Sequence, residues 1–152
     1  MKAAFYETLI RQAEALLADE DDLIAAMANF SALINDNLQD LNWAGFYFVK
    51  NGQLVLGPFQ GKVACTRIEF GKGVCGTAAA LNITQRVADV HQFDGHIACD
   101  AASNSEIVVP VRQNGQVIAV LDIDSPLLNR FDEDDQVGIE LLVKQFENCL
   151  FG

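Results

Sequence analysis

Cys99 lies in the middle of a polar segment, HQFDGHIACDAASNSEIVVP (residues 91–110), that separates two strand-like stretches of the chain. Residues 100–105 within it have no hydrophobic periodicity. Reactive side chains are often carried by loops of this kind, because a rigid scaffold positions them while they stay accessible. We therefore predict that Cys99 is a nucleophile and that the rest of the chain presents it to a small molecule.

Three of the four cysteines, Cys65, Cys75 and Cys99, lie in Gly-rich or polar connecting segments. Cys149 differs, because it falls on the apolar side of the last predicted helix, where a free cysteine packs as a small hydrophobe. A thiolate that is oxidised to a sulfenic acid needs a second cysteine to resolve it as a disulfide. Cys65 and Cys75 both qualify, and the alternative to this redox interpretation is that the three thiols are simply buried and inert.

His91 and His96 precede Cys99 in the same segment, which raises zinc binding as another alternative. The chain has no Cys-x-x-Cys pair, and its His–Cys spacings match no common zinc signature, so we predict no metal site. His96 has two open interpretations. It either lowers the pKa of the Cys99 thiol or is an ordinary hydrogen-bonded loop histidine.

Acidic side chains occur next to apolar strands in two places. Glu106 precedes the run IVVPV, where partial desolvation would keep its carboxyl protonated and able to donate to a substrate oxygen. Asp122 and Asp124 alternate with Ile123 at the end of VIAVLDID, so both point to one face and together suit an ammonium group. The alternatives are a solvated loop glutamate and a solvated strand end.

Trp43 and Tyr47 share one face of a predicted strand and could wall a pocket for an apolar or thioether group, although core packing explains Trp43 equally well. The glycines of Gly71-x-Gly73-x-x-Gly76 imitate a dinucleotide fingerprint. No long β-α-β unit surrounds them, so we predict no dinucleotide site.

The pattern of apolar residues predicts a helix with Phe5, Leu9, Leu16 and Leu17 on its buried face, followed by a second apolar stripe from Leu23 to Leu38. Asn-Gly pairs at 51–52 and 114–115 predict two β-hairpins, the first with strands at 43–49 and 53–56, the second with strands at 106–111 and 116–123. Further short strands are predicted at 68–70 and 85–90, and further helices at 71–81 and from residue 131 onward. This order predicts one α+β domain over residues 1–152, an antiparallel sheet flanked by N-terminal and C-terminal helices.

Charge and composition restrict the partners. The net charge of −11 argues against nucleic acid and against an anionic membrane surface. Glu7, Arg11 and Glu14 interrupt the apolar residues of the N-terminus, so we expect no signal peptide, and no run approaches the roughly 20 apolar residues of a membrane span. We expect a cytoplasmic protein, in which thiols stay reduced unless chemistry oxidises them.

Five segments of the chain resemble the free methionine-(R)-sulfoxide reductases, a family built on a GAF-type domain. They are NWAGFY, LVLGPFQGKVAC, GKGVCGTAA, ADVHQFDGHIACDAASNSEIVVPV and VLDIDS. These segments follow one another in unbroken order over about residues 40–135. The resemblance implies a GAF-like α+β fold and an enzyme that reduces the R epimer of free methionine sulfoxide.

The resemblance also implies a role for each cysteine. Cys99 matches the catalytic cysteine, Cys65 the usual resolving cysteine, and Cys75 a third cysteine that acts as an alternative or secondary partner. Cys149 matches none of the family's cysteine positions. The implied reaction leaves Cys99 as a sulfenic acid, which Cys65 converts to a disulfide and thioredoxin reduces.

The substrate site implied by the resemblance consists of acidic and aromatic side chains: Glu106, Asp122, Asp124, Trp43 and Tyr47. It implies no bound cofactor, thioredoxin or a similar dithiol as external reductant, and a homodimer, which the long apolar helices at both ends would allow. The alternative is a GAF-type module that binds a small ligand or senses redox state without turnover.

Overall fold

The computed structural model describes residues 2–95 and 102–152. Within these ranges the chain forms the following helices and strands: α1 (Lys2–Leu17), α2 (Leu23–Asn37), β1 (Trp43–Lys50), β2 (Gln53–Gly61), β3 (Arg67–Glu69), α3 (Gly73–Leu81), β4 (Gln85–Val87), β5 (Ser105–Gln113), β6 (Gln116–Ser125) and α4 (Glu133–Phe151). A single 3₁₀ turn at Val90–Gln92 follows β4. None of the helices in the described part of the chain is long and apolar enough to cross a membrane.

The strands form one six-stranded sheet in the order β3-β2-β1-β6-β5-β4, and neighbouring strands are antiparallel throughout. This arrangement confirms the predicted α+β class. Both predicted hairpins are present, with Asn51, Gly52, Asn114 and Gly115 all at positive φ. Positive φ at both central residues matches the right-handed twist of the flanking strands, which is why Asn-Gly marks such turns.

The two faces of the sheet carry different residues because successive side chains of a strand point in opposite directions. One face, with Phe46, Ile107, Leu121 and Ile123, packs against α1, α2 and α4 in the larger hydrophobic core. The opposite face carries a smaller apolar cluster, to which α3 contributes Val74, Cys75, Ala78 and Ala79. Every acidic or aromatic candidate residue predicted from the sequence lies on this second face.

The buried face of α1 differs from the prediction. Tyr6, Leu9, Ala13 and Leu17 are buried, whereas Phe5 and Leu16 are exposed. The reason lies on α4, where Gly138 leaves room for the Tyr6 ring: a Cβ at Gly138 would lie 2.2 Å from ring atoms of Tyr6. The Tyr6 hydroxyl also donates a hydrogen bond of 2.8 Å to Asp135 Oδ1, so the tyrosine faces inward and the phenylalanine faces outward.

The predicted end of β2 at Leu56 is also wrong, because the strand continues through Gly57 and Pro58 to Gly61. Proline is tolerated in a strand where its missing N–H faces no partner. The ladder with β3 pairs only Gln53–Val55 of β2, so Pro58 lies on a free edge of the described sheet. Likewise β4 ends at Val87 and not at Val90, since Val90–Gln92 turns into the 3₁₀ segment.

The predicted start of α4 at residue 131 is two residues too early. Asp132 is the N-cap, and it forms a capping box with Asp135, in which each side chain accepts a hydrogen bond from the other residue's backbone N–H. Such a box satisfies two backbone donors that the first turn of a helix leaves without intrahelical partners. The first turn carries Glu133, Asp134 and Asp135, acidic residues that the positive end of the helix dipole favours.

Candidate active site

Three neighbouring strands bring the predicted acidic residues to one place on the second face of the sheet. In the β5–β6 ladder Glu106 lies opposite Asp124, and in the β1–β6 ladder Asp124 lies opposite Trp43. Asp122, two positions earlier on β6, lies between Gly45 and Val108. The carboxyl side chains are buried, with exposures of 8% for Glu106, 5% for Asp122 and 8% for Asp124. Strand alternation thus places all three where a ligand on this face would meet them.

Cys75 joins these carboxylates from α3. Its Sγ lies 3.9 Å from Glu106 Oε2, in hydrogen-bonding geometry. The Sγ atom and one oxygen each of Glu106 and Asp122 all lie within 4.8 Å of one another. A hydrogen bond of 3.0 Å from Gly73 N–H to the Gly95 carbonyl holds the first turn of α3 against the segment that follows the 3₁₀ turn. We call Glu106, Asp122 and Asp124 the carboxylate cluster.

Burial controls the protonation of the carboxylate cluster. Burial first, and then the charges of Asp122 and Asp124, raise the pKa of Glu106 well above its usual range. Burial also raises the pKa of Asp122, although hydrogen bonds with Glu106, Cys75 and Asp124 favour its ionised form. Carboxyl groups that are buried together do not all ionise readily, so the cluster holds its protons to higher pH than separate exposed carboxyls would.

One oxygen atom of the cluster, Asp122 Oδ1, is buried and lacks a hydrogen-bond donor in the described part of the chain. A buried carboxylate oxygen without a donor costs free energy, and such an atom in a folded protein points to a functional role or to a bound group that supplies the donor. The geometry therefore suits a ligand that brings a hydrogen-bond donor or a positive charge to Asp122.

An aromatic stack lies beside the cluster. The Trp43 ring stacks with Phe59, with ring centroids 5.0 Å apart, and with Tyr47, with ring centroids 5.8 Å apart. Trp43 Nε1 donates a hydrogen bond of 3.1 Å to the Lys62 carbonyl, which fixes the direction of the indole. Burial, and secondarily the charge of Asp122, raise the pKa of Tyr47, so its phenol stays neutral. We call Phe59, Trp43 and Tyr47 the aromatic stack.

Phe59 was missed from the sequence because its face depends on a β-bulge. The β1–β2 ladder runs in regular register from the Asn51–Gly52 turn to Tyr47 and Leu56, then shifts between Gly45 and Tyr47. Continuing the regular register would pair Phe59 with Ala44, on the face of the larger core. The bulge pairs it with Gly45 instead, and a one-residue slip moves a side chain to the opposite face.

The cysteines fall in different environments. Cys65 is half-buried, packs against the same apolar cluster as Cys75, and is disulfide-bonded. Cys75 and Cys149 are free thiols. Cys149 packs against the larger core, as predicted for a structural cysteine, and accepts a hydrogen bond from Gln145 Nε2. Cys99 and His96 lie outside the described residues.

Asn104 fixes the chain on one side of residues 96–101. Its backbone N–H donates to the Ser125 carbonyl at 2.8 Å, and its Nδ2 donates to the Pro126 carbonyl at 2.7 Å. The Asn104 carbonyl accepts from Val90 N–H at 2.9 Å, and its Oδ1 lies 3.1 Å from His91 Nε2. These bonds hold residues 90–91 and 104 together on the end of β6, next to the carboxylate cluster.

Within the described residues, one group of three side chains could hold a metal ion: Cys75, Glu106 and Asp122. This group contains no histidine. Structural zinc sites normally have four ligands, and a protonated thiol is a poor ligand. The absence of a bound metal stays a prediction. The arrangement is better suited to proton donation and to binding a small cation than to holding a metal.

Comparisons with known proteins point to one family. The GAF domain family matches residues 18–150. Free methionine-R-sulfoxide reductase of Escherichia coli (strain K12) is 56% identical over 149 residues, which cover 98% of this chain and 90% of that protein. A structure described as a putative GAF sensor protein from Burkholderia vietnamiensis superposes with a TM-score of 0.96 at 57% identity, covering 99% of this chain and 96% of that one.

The X-ray structure of free methionine-R-sulfoxide reductase from Neisseria meningitidis in complex with its substrate superposes with a TM-score of 0.94 at 46% identity, covering 98% of this chain and 90% of that one. Both the sequence identity and the coverage of the whole fold exceed what a shared architecture alone would give. This chain belongs to the GAF-domain family of free methionine-(R)-sulfoxide reductases.

Proposed function

We propose that this chain reduces free L-methionine-(R)-sulfoxide to methionine, with Cys99 as the nucleophile and Cys65 as the resolving cysteine. The observation that carries the proposal is the juxtaposition of a buried, proton-holding carboxylate cluster with an aromatic stack. Sulfoxide reduction needs a proton donor for the oxygen and a binding surface for the thioether. The two groups of side chains supply both on one face of the sheet.

In the first step the Cys99 thiolate attacks the sulfoxide sulfur, and the oxygen receives a proton. Glu106 is the proposed donor, because burial and its acidic neighbours raise the pKa of its carboxyl. The protonated oxygen then moves from the substrate sulfur to Cys99 Sγ as the bond between the two sulfurs breaks, so methionine leaves and Cys99 becomes a sulfenic acid. The substrate sulfur gains two electrons and the cysteine sulfur loses two.

In the second step Cys65 gives up its thiol proton and attacks Cys99 Sγ, a disulfide forms, and the sulfenic hydroxyl takes up that proton and leaves as water. The disulfide-bonded state of Cys65, with Cys75 and Cys149 as free thiols, supports Cys65 as the resolving cysteine. Thioredoxin or a similar dithiol then reduces the disulfide by thiol–disulfide exchange and becomes oxidised itself. The protein needs no bound cofactor for any of these steps.

Selectivity for the free amino acid is proposed to come from Asp122 and Asp124. The α-ammonium group of a free amino acid offers the charge and the hydrogen-bond donors that Asp122 Oδ1 lacks. A peptide-bound methionine sulfoxide has no ammonium group, and a site built for a charged donor rejects a ligand without one. The aromatic stack would hold the thioether part of the side chain.

The remaining partners follow from the surface and the charge. The net charge of −11 disfavours nucleic acid and anionic membranes, and we propose a cytoplasmic enzyme. We also propose a homodimer. Exposed apolar side chains on the terminal helices support it: Phe5 and Leu16 on α1, and Val137 and Leu141 on α4.

The test is a thioredoxin-coupled NADPH assay with racemic free methionine sulfoxide. We expect consumption to stop at half of the substrate, because one epimer is reduced. Cys99→Ser should abolish turnover, whereas Cys149→Ser, the control outside the site, should retain it. Binding of methionine sulfoxide without NADPH consumption by the wild type would instead favour a ligand-binding module of the GAF type.

A further inference from the structure

Cys75 is the one cysteine in the described chain that faces the carboxylate cluster as a free thiol. It is 4% exposed, and its Sγ lies 3.9 Å from Glu106 Oε2. Its position is fixed by the first turn of α3, where Gly76 N–H donates to the Lys72 carbonyl and Thr77 Oγ1 donates to the Gly73 carbonyl. A thiol that is held in this way is placed to act on carboxylates and not on solvent.

We propose that Cys75 is a positioning residue, whose protonated thiol shares its one hydrogen between the carboxyl oxygens of Glu106 and Asp122 and orients both side chains for the substrate. This inference rests on the proposed function of the site and refines it. It assigns Cys75 a role that needs no change in oxidation state. The secondary resolving role implied by the family resemblance would require Cys75 to react as a thiolate.

The surroundings of Cys75 oppose a thiolate. Burial first, and then the charges of Asp122, Glu106 and Asp124, raise the pKa of the Cys75 thiol well above its usual value. The groups that face it from the described chain are these three carboxylates and the Tyr47 phenol, and no cation is among the causes of its shift. Reactive cysteines have the opposite environment, electropositive and partly exposed, because only the thiolate is a nucleophile.

A donor at this position matters because the cluster is rich in acceptors. The carboxylates provide many more oxygens than protons, and each buried oxygen left without a donor costs free energy. The hydrogen bond from Cys75 favours the ionised form of Asp122, the form that binds an ammonium group. Without this donor, the Asp122 carboxyl should take up a proton at a higher pH and bind the substrate less well there.

The first experiment compares Cys75→Ser, which keeps a donor of similar size, with Cys75→Ala, which removes the donor. We expect Cys75→Ala to lower kcat/KM for free methionine sulfoxide about tenfold near neutral pH, as for the loss of one hydrogen bond to a charged group, mainly through KM. The acid limb of its pH profile should move to higher pH. Cys75→Ser should keep the wild-type limb and stay within about threefold of wild-type kcat/KM.

Single-turnover release of methionine should be measured in the same variants, because this reaction does not require a resolving cysteine. Circular dichroism and thermal unfolding establish that Cys75→Ala is folded. Equal impairment of the serine and alanine variants would overturn the proposal, since a hydroxyl cannot replace a redox-active sulfur. Unchanged pH profiles in both variants would overturn it as well.

The second experiment removes Cys65 and asks whether Cys75 replaces it. In Cys65→Ser, we expect one turnover to leave a sulfenic acid that a cyclic dione traps, with no disulfide involving Cys75 detected by peptide mass mapping. Formation of a Cys75 disulfide at the rate of turnover would refute the positioning role. If the wild type reduces no free methionine sulfoxide, the proposed function fails. If the wild type reduces free methionine sulfoxide but the Cys75→Ala and Cys75→Ser variants do not differ as expected, only the positioning role of Cys75 fails.

Discussion

Gly45→Ala is a test of how the bulge between β1 and β2 supports the aromatic stack. A Cβ at position 45 would lie 2.3 Å from Phe59 Cβ, 2.7 Å from Phe59 Cα and 2.8 Å from the Pro58 carbonyl oxygen. Optimal contacts between carbon atoms lie at about 3.5–4.0 Å. Two of the three clashing atoms belong to the backbone, so no side-chain rotation relieves them, and β2 must move away from β1 by about 1 Å or more.

The expected magnitude has two parts. Overpacking of a close-packed site costs about 1–3 kcal/mol, and we expect the free energy of unfolding to fall by about 3 kcal/mol because the backbone itself must shift. Phe59 supports one face of Trp43, whose ring centroid is 5.0 Å away, so the displacement reaches the aromatic stack. A misplacement of about 1 Å in a binding site can cost roughly 100-fold in rate, and we expect a loss in kcat/KM of that order.

Urea unfolding measures the loss of stability, and steady-state kinetics measure the loss of kcat/KM. Fluorescence reports the displacement of the aromatic stack that causes the loss of activity. Trp43 is the single tryptophan of the chain, so a change in the stack should alter the intrinsic emission. Gly57→Ala, on the paired strand β2, is the matched control, because its Cβ would meet mainly the Phe48 ring, which can rotate away. If Gly45→Ala left both the emission and kcat/KM at wild-type values, the proposed dependence of the stack on the bulge would be refuted.

Two further substitutions separate activity from stability. Asp122→Asn should lower kcat/KM for free methionine sulfoxide about 10- to 100-fold, with a much smaller effect on aryl sulfoxides that lack an ammonium group, and equal losses on both would argue against an ammonium site at Asp122. The same variant should raise the free energy of unfolding at pH 7 by about 1 kcal/mol. Burial raises the pKa of Asp122 in the folded state, so the wild type loses stability as pH rises through the folded-state pKa and Asp122 ionises. The asparagine variant avoids this loss because its side chain stays neutral. Urea unfolding should therefore show that the extra stability of the variant disappears below the unfolded-state pKa of aspartate, at about pH 4. Tyr6→Phe removes a buried hydrogen bond of 2.8 Å to Asp135 and should lower the free energy of unfolding by about 2 kcal/mol with unchanged kcat/KM, and a loss of activity would show that α1 affects the site.

Features that depend on local sequence were predictable. The Asn-Gly turns and the alternation of Asp122, Ile123 and Asp124 need only the geometry of a hairpin and of a strand. These local rules gave the two hairpins and placed both aspartates on one face.

Features that depend on distant residues were not predictable. Tyr6 and not Phe5 is buried because Gly138 leaves space on a helix at the other end of the chain. Phe59 joins the aromatic stack because the bulge at Gly45 reverses its direction. The proximity of Cys75 to the carboxylates follows from where α3 docks on the sheet, which no local pattern specifies.

The two faces of the sheet have opposite effects on stability, which explains how a domain of this size tolerates a buried acidic cluster that destabilises the folded state. On β1 and β6, each residue of the site alternates with a residue of the larger core: Ala44 and Phe46 lie between the aromatic residues Trp43 and Tyr47, and Ile123 lies between the aspartates. Burial of unpaired acidic groups destabilises the folded state, whereas the apolar face packed by α1, α2 and α4 stabilises it. Because the same strands carry both, the rigidity that the larger core gives to β1, β5 and β6 is transmitted directly to the acidic and aromatic side chains. A cluster on loops would lack that support, since its carboxylates would separate and hydrate instead of sharing protons.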